Sequence, residues 1–274
     1  MYKRQSQGRE AAIQAARDFF YMGEIAEEMV KFHQENGGLL TMQDLADFHV
    51  GVGAPAHGTY KGIDVYTCGA WCQGPVSIQT LQILEGMDLR SMGHNSADYI
   101  HAVLESLSLA FSDREAYYGD PDFVDVPMQG LLSKSFADER RTQINMRRAF
   151  GEMPDAGDPW RRQGMESPKG KLGRPEPVGG GLQADTSYTA VVAQWGNAFS
   201  ATPSDTIAYN PIVPGLGFIV SGRGSQSWLD HEHPSALQGG KRPRLTPNPA
   251  LAMKDGKVMM PFGTPGGDVQ PQSM

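Results

Sequence analysis

Thr186 lies in Asp185-Thr186-Ser187, at the head of the apolar, β-branched run Thr189-Ala190-Val191-Val192 and directly after a stretch crowded with Gly and Pro. A Thr at such a junction suits a site where the chain is cut and the new amino terminus becomes a nucleophile. A Thr hydroxyl is a weak nucleophile at neutral pH. A freed α-amine, with a pKa of about 7.7 to 8.0, reaches the Oγ of its own residue, so one residue supplies nucleophile and base. Acyl transfer also needs backbone N–H donors for the oxyanion, and a loop without Cβ atoms allows the close approach. Gly263-Thr264-Pro265-Gly266-Gly267, straight after an apolar run, is such a loop. Taken alone, the same residues also read as a strand opening and a turn.

Other reactive side chains point to less. Cys68 and Cys72 are the two cysteines; a lone Cys-x-x-x-Cys makes neither a disulfide framework nor a zinc site, so packed or free thiols are expected. His231-Glu232-His233 puts two imidazoles on opposite faces of an extended chain, with Pro234 next, which argues against metal ligation. Asp113 and Arg114 read as an ion pair. Arg140, Arg141, Arg147 and Arg148 read as a solvated helix face, because a formal charge of −7 does not make a nucleic-acid footprint.

The 274 residues, 39% hydrophobic and 20% charged, can bury one large core or two small ones. No apolar run approaches the roughly 18 to 20 residues that cross a bilayer. The first twenty residues carry Arg4, Arg9, Glu10, Arg17 and Asp18 in place of a hydrophobic signal core.

The elements that must position the chemistry follow from periodicity. A helix is predicted from Arg9 to about Gln34, broken near Gly23, and a short one is capped by Thr41. Residues 58–67 read as a hairpin turning at Lys61-Gly62. Pro75 starts a helix carrying Ile78, Leu81 and Leu84, which Gly86 ends. The longest helix runs from Asn95 or Ser96 to about Tyr118, with Ile100, Leu104, Leu107 and Phe111 as its buried stripe. Another spans Ser133 to about Phe150. From Gly151 to Ala184 the composition is that of a flexible linker. Beyond it the chain is β: 187–194 pairs with 198–202, Phe218-Ile219-Val220 is a short buried strand, and a hairpin turns at Asp255-Gly256.

Helices, a linker, then strands opening on a hydroxyl residue is an order that resembles the γ-glutamyltranspeptidase family. Its signatures are matched by Tyr21-Met22-Gly23-Glu24-Ile25-Ala26, Asn36-Gly37-Gly38-Leu39-Leu40-Thr41, Gly119-Asp120-Pro121-Asp122-Phe123-Val124 and Gly130-Leu131-Leu132-Ser133, then by Asp185-Thr186-Ser187, Gly239-Gly240-Lys241-Arg242-Pro243 and Thr264-Pro265-Gly266-Gly267. The resemblance implies an α+β fold, the four-layer αββα amino-terminal nucleophile hydrolase, incomplete in this chain. Residues 1–150 would be the mostly helical C-terminal part of a large subunit, 151–185 a linker ending at the self-cleavage site, and 186–274 the mostly β N-terminal part of a small subunit.

It also implies cleavage of the Asp185–Thr186 bond, Thr186 as nucleophile, and the Gly266 and Gly267 amides as oxyanion hole. Ser204, Thr206, Gln226 and Thr246 would line the substrate side. No cofactor and no metal are implied, and the partners are a small γ-glutamyl or amide substrate and the two subunits of one precursor. Homo-oligomerisation stays open, with no nucleic-acid or membrane partner. The compartment stays open between cytoplasm and periplasm.

The departures from the family pattern fall in the pocket that reads the acyl group. Thr206 stands where transpeptidases carry Asn, Ser225-Gln226 where they carry paired acids, and Leu245-Thr246 where they carry paired serines. A neutral Gln cannot answer a desolvated α-ammonium with a charge-assisted bond. These changes resemble the amidohydrolase and acylase members, including oxamate amidohydrolase-like proteins. The family extends further on both sides, so the chain reads as truncated at each end, and a catalytically inert fragment is the competing expectation.

Overall fold

The computed structural model describes residues 8–167, 186–205 and 210–274. Asp185, Thr206 and the second half of the expected linker therefore lie outside the described residues. The chain divides into two compact units that interleave in sequence, Met1–Gly53 with Ile207–Gly222, and Ala54–Thr206 with Arg223–Met274.

The first unit carries α1 (Arg9–Tyr21), α2 (Glu24–Glu35) and α3 (Met42–Asp47). Gly23 makes the break because a Cβ there would come within 2.9 Å of the Phe19 carbonyl oxygen. Thr41 and Asp44 cap α3 reciprocally, each side chain bonding the other residue's backbone N–H. Phe20 stacks on Phe218, and Ala26, Met29, Val30 and Val213 are buried. The expected buried strand at 218–220 reduces to one antiparallel bridge, Ile212 to Ile219, and is half-buried. Pro211 and Pro214 leave too few amides there for a ladder.

The second unit is built on an antiparallel sheet in the order β1 (Ala56–Tyr60), β2 (Ile63–Thr67), β5 (Ala250–Lys254), β6 (Lys257–Phe262). Lys61 and Gly62 both have positive φ, as the two-residue hairpin turn requires. Across the sheet Val65 sits opposite Ala252, and Ala250 opposite Phe262. Helix α4 (Gly74–Glu85) packs on β1 and β2, and α6 (Ala97–Tyr117) and α8 (Lys134–Arg141) pack on α4; α5 (Leu89–Met92) and α7 (Met128–Leu131) are single turns. The hairpin of β3 (Thr189–Val192) and β4 (Ala198–Ala201) lies against β6, and α9 (Gln270–Ser273) follows the glycine loop.

Helix α4 is buried nearly all round, Leu81 being only half-buried, so no single stripe describes it. In α6 the expected stripe fails at its start, where Ile100 and Leu104 are 45% and 52% exposed. Burial begins in earnest at Glu105 and then covers every face, polar residues included. The expected ion pair is also different: Asp113 faces Arg140 at 3.2 Å, while Arg114 bonds Glu115 and Asp268. Arg140, expected on a solvated face, is 1% exposed, and its helix ends at Arg141 instead of reaching Phe150.

The first half of the expected linker is anchored at Pro159 and Trp160, while most of its other residues are exposed. Trp160 is buried in the core with Phe136 and Leu131, and Pro159 lies so close that a Cβ on Gly130 would come within 2.0 Å of its carbonyl oxygen. The Gly and Pro content there makes irregular backbone, which one large aromatic residue anchors.

Candidate active site

The hairpin of β3 and β4 continues beyond its ladder as the Ser187 amide bonds the Pro203 carbonyl and Thr186 bridges Ser204. This brings two hydroxyls together: Thr186 Oγ1 lies 2.7 Å from Ser204 Oγ. The next residues pack as well, because a Cβ on Gly263 would fall 2.4 Å from the Tyr188 ring.

Ser204 also accepts a hydrogen bond from Arg223, whose guanidinium reaches the Thr246 hydroxyl at 3.4 Å. Arg223 opens a one-turn 3-10 helix that ends at Gln226. Thr246 connects to the glycine loop through one buried side chain, since Gln73 Nε2 donates to the carbonyls of both Thr246 and Gly267, the latter at 2.8 Å. Thr186, Ser204, Thr246 and Gly267 thus belong to one hydrogen-bonded chain, linked by Arg223 and Gln73.

Gly266 and Gly267 have φ of 121° and 56°, a conformation costly for any residue with a Cβ. Space is not the reason at Gly267, where an added Cβ would meet nothing within 4 Å. Among the described residues neither glycine amide has an acceptor, which leaves two adjacent donors for a ligand oxygen. Gln226 supplies a buried Oε1 without a partner among the described residues, and it makes no hydrogen bond to the other four.

Beneath this chain lies a charge network that the sequence reading missed. Arg114 holds Gln73 Oε1 at 2.7 Å and Asp268 at 2.7 Å, and Glu115 accepts from both Arg114 and Arg244. Burial pushes the Glu115 carboxyl up, but the two guanidiniums outweigh it and hold the group below its ordinary range. Asp268 is likewise raised by burial and lowered further by Arg114. Two cations and two anions thereby fix Gln73, and with it the glycine loop. The buried amide of Asn248 ties the same region to β2 and α4 through Thr67 and Ser77, at 2.7 Å each.

Cys68 and Cys72 are thiols in the loop just before Gln73. Cys72 donates a hydrogen bond that draws Cys68 down, and burial pushes Cys72 well up. His233 stacks on Trp228 with ring centroids 4.1 Å apart and is 4% exposed, a packed residue. Among the described residues no group of three His, Cys, Asp or Glu side chains could hold a metal ion. No helix is long and apolar enough to cross a membrane among the described residues.

One signal for Arg223 was present in the sequence: it is the single charged residue between Asp205 and Asp230. For Gln73 there was none, since a buried Gln in a loop is indistinguishable in sequence from a solvated one.

Two solved structures share this arrangement of elements. LmbA2991HD superimposes with a TM-score of 0.84 at 36% identity, over 99% of this chain and 47% of that one. Cephalosporin acylase from Bacillus halodurans does so with 0.72 at 28%, over 93% and 42%. The fold is therefore the α+β fold of the amino-terminal nucleophile hydrolases. The family model for gamma-glutamyltranspeptidase matches residues 10–274, and the chain belongs to that family. The glutathione hydrolase-like YwrD proenzyme of Bacillus subtilis (strain 168) is 33% identical over 94% of this chain and 44% of its own length. The acylase ACY 1 proenzyme of Pseudomonas sp. (strain SE83) is 31% identical over 91% and 41%. The chain thus spans less than half the length of the curated relatives it matches.

Proposed function

We propose that the protein carrying this chain is a self-cleaving acyl-transfer enzyme in which Thr186 is the nucleophile. Cutting the Asp185–Thr186 bond would free the Thr186 α-amine. Thr186 Oγ then attacks the carbonyl carbon of a γ-glutamyl or small amide substrate, and its proton passes to the α-amine. The amides of Gly266 and Gly267 hold the oxyanion. The C–N bond breaks as the amine leaves with the proton. Water or an acceptor amine attacks the Thr186 ester, the α-amine takes the proton of the incoming group and passes it to the departing Thr186 Oγ, and the acid or new amide is released. The observation that carries this reading is the 2.7 Å contact of Thr186 with Ser204 in a chain of hydrogen bonds that ends at the glycine loop. That the relatives are named proenzymes supports a precursor cut into two subunits.

An amidohydrolase or acylase without γ-glutamyl preference is the second reading. Gln226 in place of an acid and the named acylase relatives favour it. The test for both uses the full-length protein. It should run as two pieces on a denaturing gel, with Thr186 as the new amino terminus by mass spectrometry. Thr186→Ala should remove the cut and lower turnover at least ~1000-fold. An uncut, fully active protein would exclude Thr186 as nucleophile.

A further inference from the structure

Cys68 and Cys72 are reactive groups that the acyl-transfer reading leaves unused. The Cys72 amide donates to the Gly69 carbonyl at 3.0 Å, and this turn folds the segment back so that the Cys72 thiol donates to Cys68 Sγ. Cys68 is half-buried, whereas Cys72 is 1% exposed. A reagent therefore meets Cys68 first, with Cys72 directly behind it. The hydrogen bond from Cys72 favours the Cys68 thiolate, the form that attacks a disulfide, while burial keeps Cys72 a thiol.

The same segment is seated on residues 245–247 at successive positions. The Trp71 carbonyl accepts from the Leu245 amide at 2.9 Å, Gln73 Nε2 donates to the Thr246 carbonyl, and Cys68 Sγ donates to the Pro247 carbonyl at 3.3 Å. Gln73 follows Cys72 directly and also holds the Gly267 carbonyl at 2.8 Å. The packing leaves little slack, since a Cβ on Gly74 would come within 2.9 Å of Cys68 Sγ. A disulfide brings its two sulfurs to ~2 Å, well inside hydrogen-bond contact. Closing it between these residues shifts Gln73 or breaks the bond to Pro247, and either change disturbs the stretch that holds Thr246.

We propose that Cys68 and Cys72 are a redox pair, oxidised by low-molecular-weight disulfides, and that the bond they close loosens the hold of Gln73 on the glycine loop and lowers turnover. The Cys68 thiolate attacks one sulfur of the small disulfide and expels a thiolate. Cys72 then loses its proton and attacks the Cys68 sulfur of the mixed disulfide, expelling a second thiolate. Two protein thiols are oxidised, one small disulfide is reduced to two thiols, and the protons lost by the cysteines go to the released thiolates. The effect on turnover rests on the proposed acyl-transfer function; the oxidation and the loosened loop do not.

The experiment treats the full-length, self-cut protein with hydroxyethyl disulfide, a neutral reagent that is not a γ-glutamyl compound, and reverses the treatment with dithiothreitol. The tryptic peptide 62–90 contains both cysteines; it should lose two hydrogens in mass and resist alkylation. Cys72→Ser should stop at a mixed disulfide on Cys68, and Cys68→Ser should leave Cys72 unreactive. On oxidation of the wild type, amide hydrogen exchange across residues 263–270 should quicken ~10-fold or more. Turnover of a γ-glutamyl anilide or a simple dicarboxylic acid amide should fall at least ~10-fold and return on reduction. A peptide that keeps both thiols, or one that is oxidised with exchange and turnover unchanged, would overturn the inference. The same fall in turnover in the Cys68→Ser, Cys72→Ser double variant would overturn it as well. Oxidation that quickens exchange in a protein whose reduced form hydrolyses no amide would support the redox pair and sink the enzyme reading instead.

Discussion

Helices α4 and α6 and the β3–β4 hairpin are held in the same unit by opposite means. Helix α4 and the second half of α6 are buried on nearly every side, down to charged Asp113 at 0% exposed, which meets Arg140 of the neighbouring α8 at 1%. The hairpin that leads from Thr186 shows Val191, Val192 and Phe199 at 57% to 58% exposed, and its tip, Trp195, at 78%. It is positioned by a few directional contacts, from Ser204, Pro203 and the Tyr188 ring. The difference separates packing from the proposed chemistry: the helical layer carries the packing, and the hydroxyl proposed as nucleophile sits where little else depends on it. Gln73 is the exception, because it stands on the buried side and reaches the glycine loop.

The comparison is broken most severely on the helical side. Asp113→Ala leaves Arg140 buried without its anion and should cost ~3 to 5 kcal/mol, read as a lower urea midpoint of the full-length protein. A smaller loss would mean that water reaches the pair. The pH dependence of stability comes next. Burial above all raises Asp113 to about 6, although Arg140 opposes it. The folded state therefore holds more protons than the unfolded chain between the ordinary carboxylate value and about pH 6, and stability from this group falls as pH rises through that window, by up to about 3 kcal/mol.

His233 has the opposite sign. Burial lowers it to about 4, so the unfolded chain takes a proton that the fold refuses, and stability is lost as pH falls from its ordinary value of 6.5 towards 4. Denaturation of Asp113→Asn across that range should show a steeper loss on acidification, and His233→Gln a shallower one. Glu115 and Asp268, held below their ordinary values, add their own losses only below about pH 4.5.

Gln73→Leu sharpens the contrast. It removes two hydrogen bonds to the loops of the site and should cost ~1 to 3 kcal/mol of stability, with turnover reduced ~10- to 100-fold by a less well held glycine loop. Loss of stability without loss of turnover would take Gln73 out of the site. The smallest effect belongs to the hairpin: Val192→Thr should change stability by less than ~0.5 kcal/mol, as an exposed substitution does. A larger change in the full-length protein would show that this face is covered there.

The sequence carried the element order well because caps and turns are local. Thr41 with Asp44, Ser96 ahead of α6, Lys61-Gly62 and Asp255-Gly256 act within a few residues, and each stands where its spacing implied. The errors came from long-range burial. A charged residue in a helix reads as solvated until its partner is known, and Arg140 finds Asp113 from 27 positions away in the chain. Gly151–Ser167 read as linker because nothing local reveals that Trp160 has a pocket waiting.

Several family signatures likewise turn out to be packing devices. Asp120 bonds the Arg242 backbone at 2.9 Å and its guanidinium, joining two signature stretches. Gly130 makes room for Pro159, and Ser133 caps α8. The hydroxyl pair and the glycine loop were legible as chemistry and Arg223 stood out as a lone charge, whereas Gln73 and the charges below it required the fold.

The contact between Gly263 and Tyr188 has a consequence for how such a protein can change over generations. Because the ring occupies the volume that a side chain at 263 would need, the two positions form a single unit of inheritance. Any lineage that enlarges residue 263 must first shrink residue 188, and the order matters, since one path crosses a clash and the other only a hole. Two residues from the proposed nucleophile, the ring thus limits which neighbours the glycine loop can acquire.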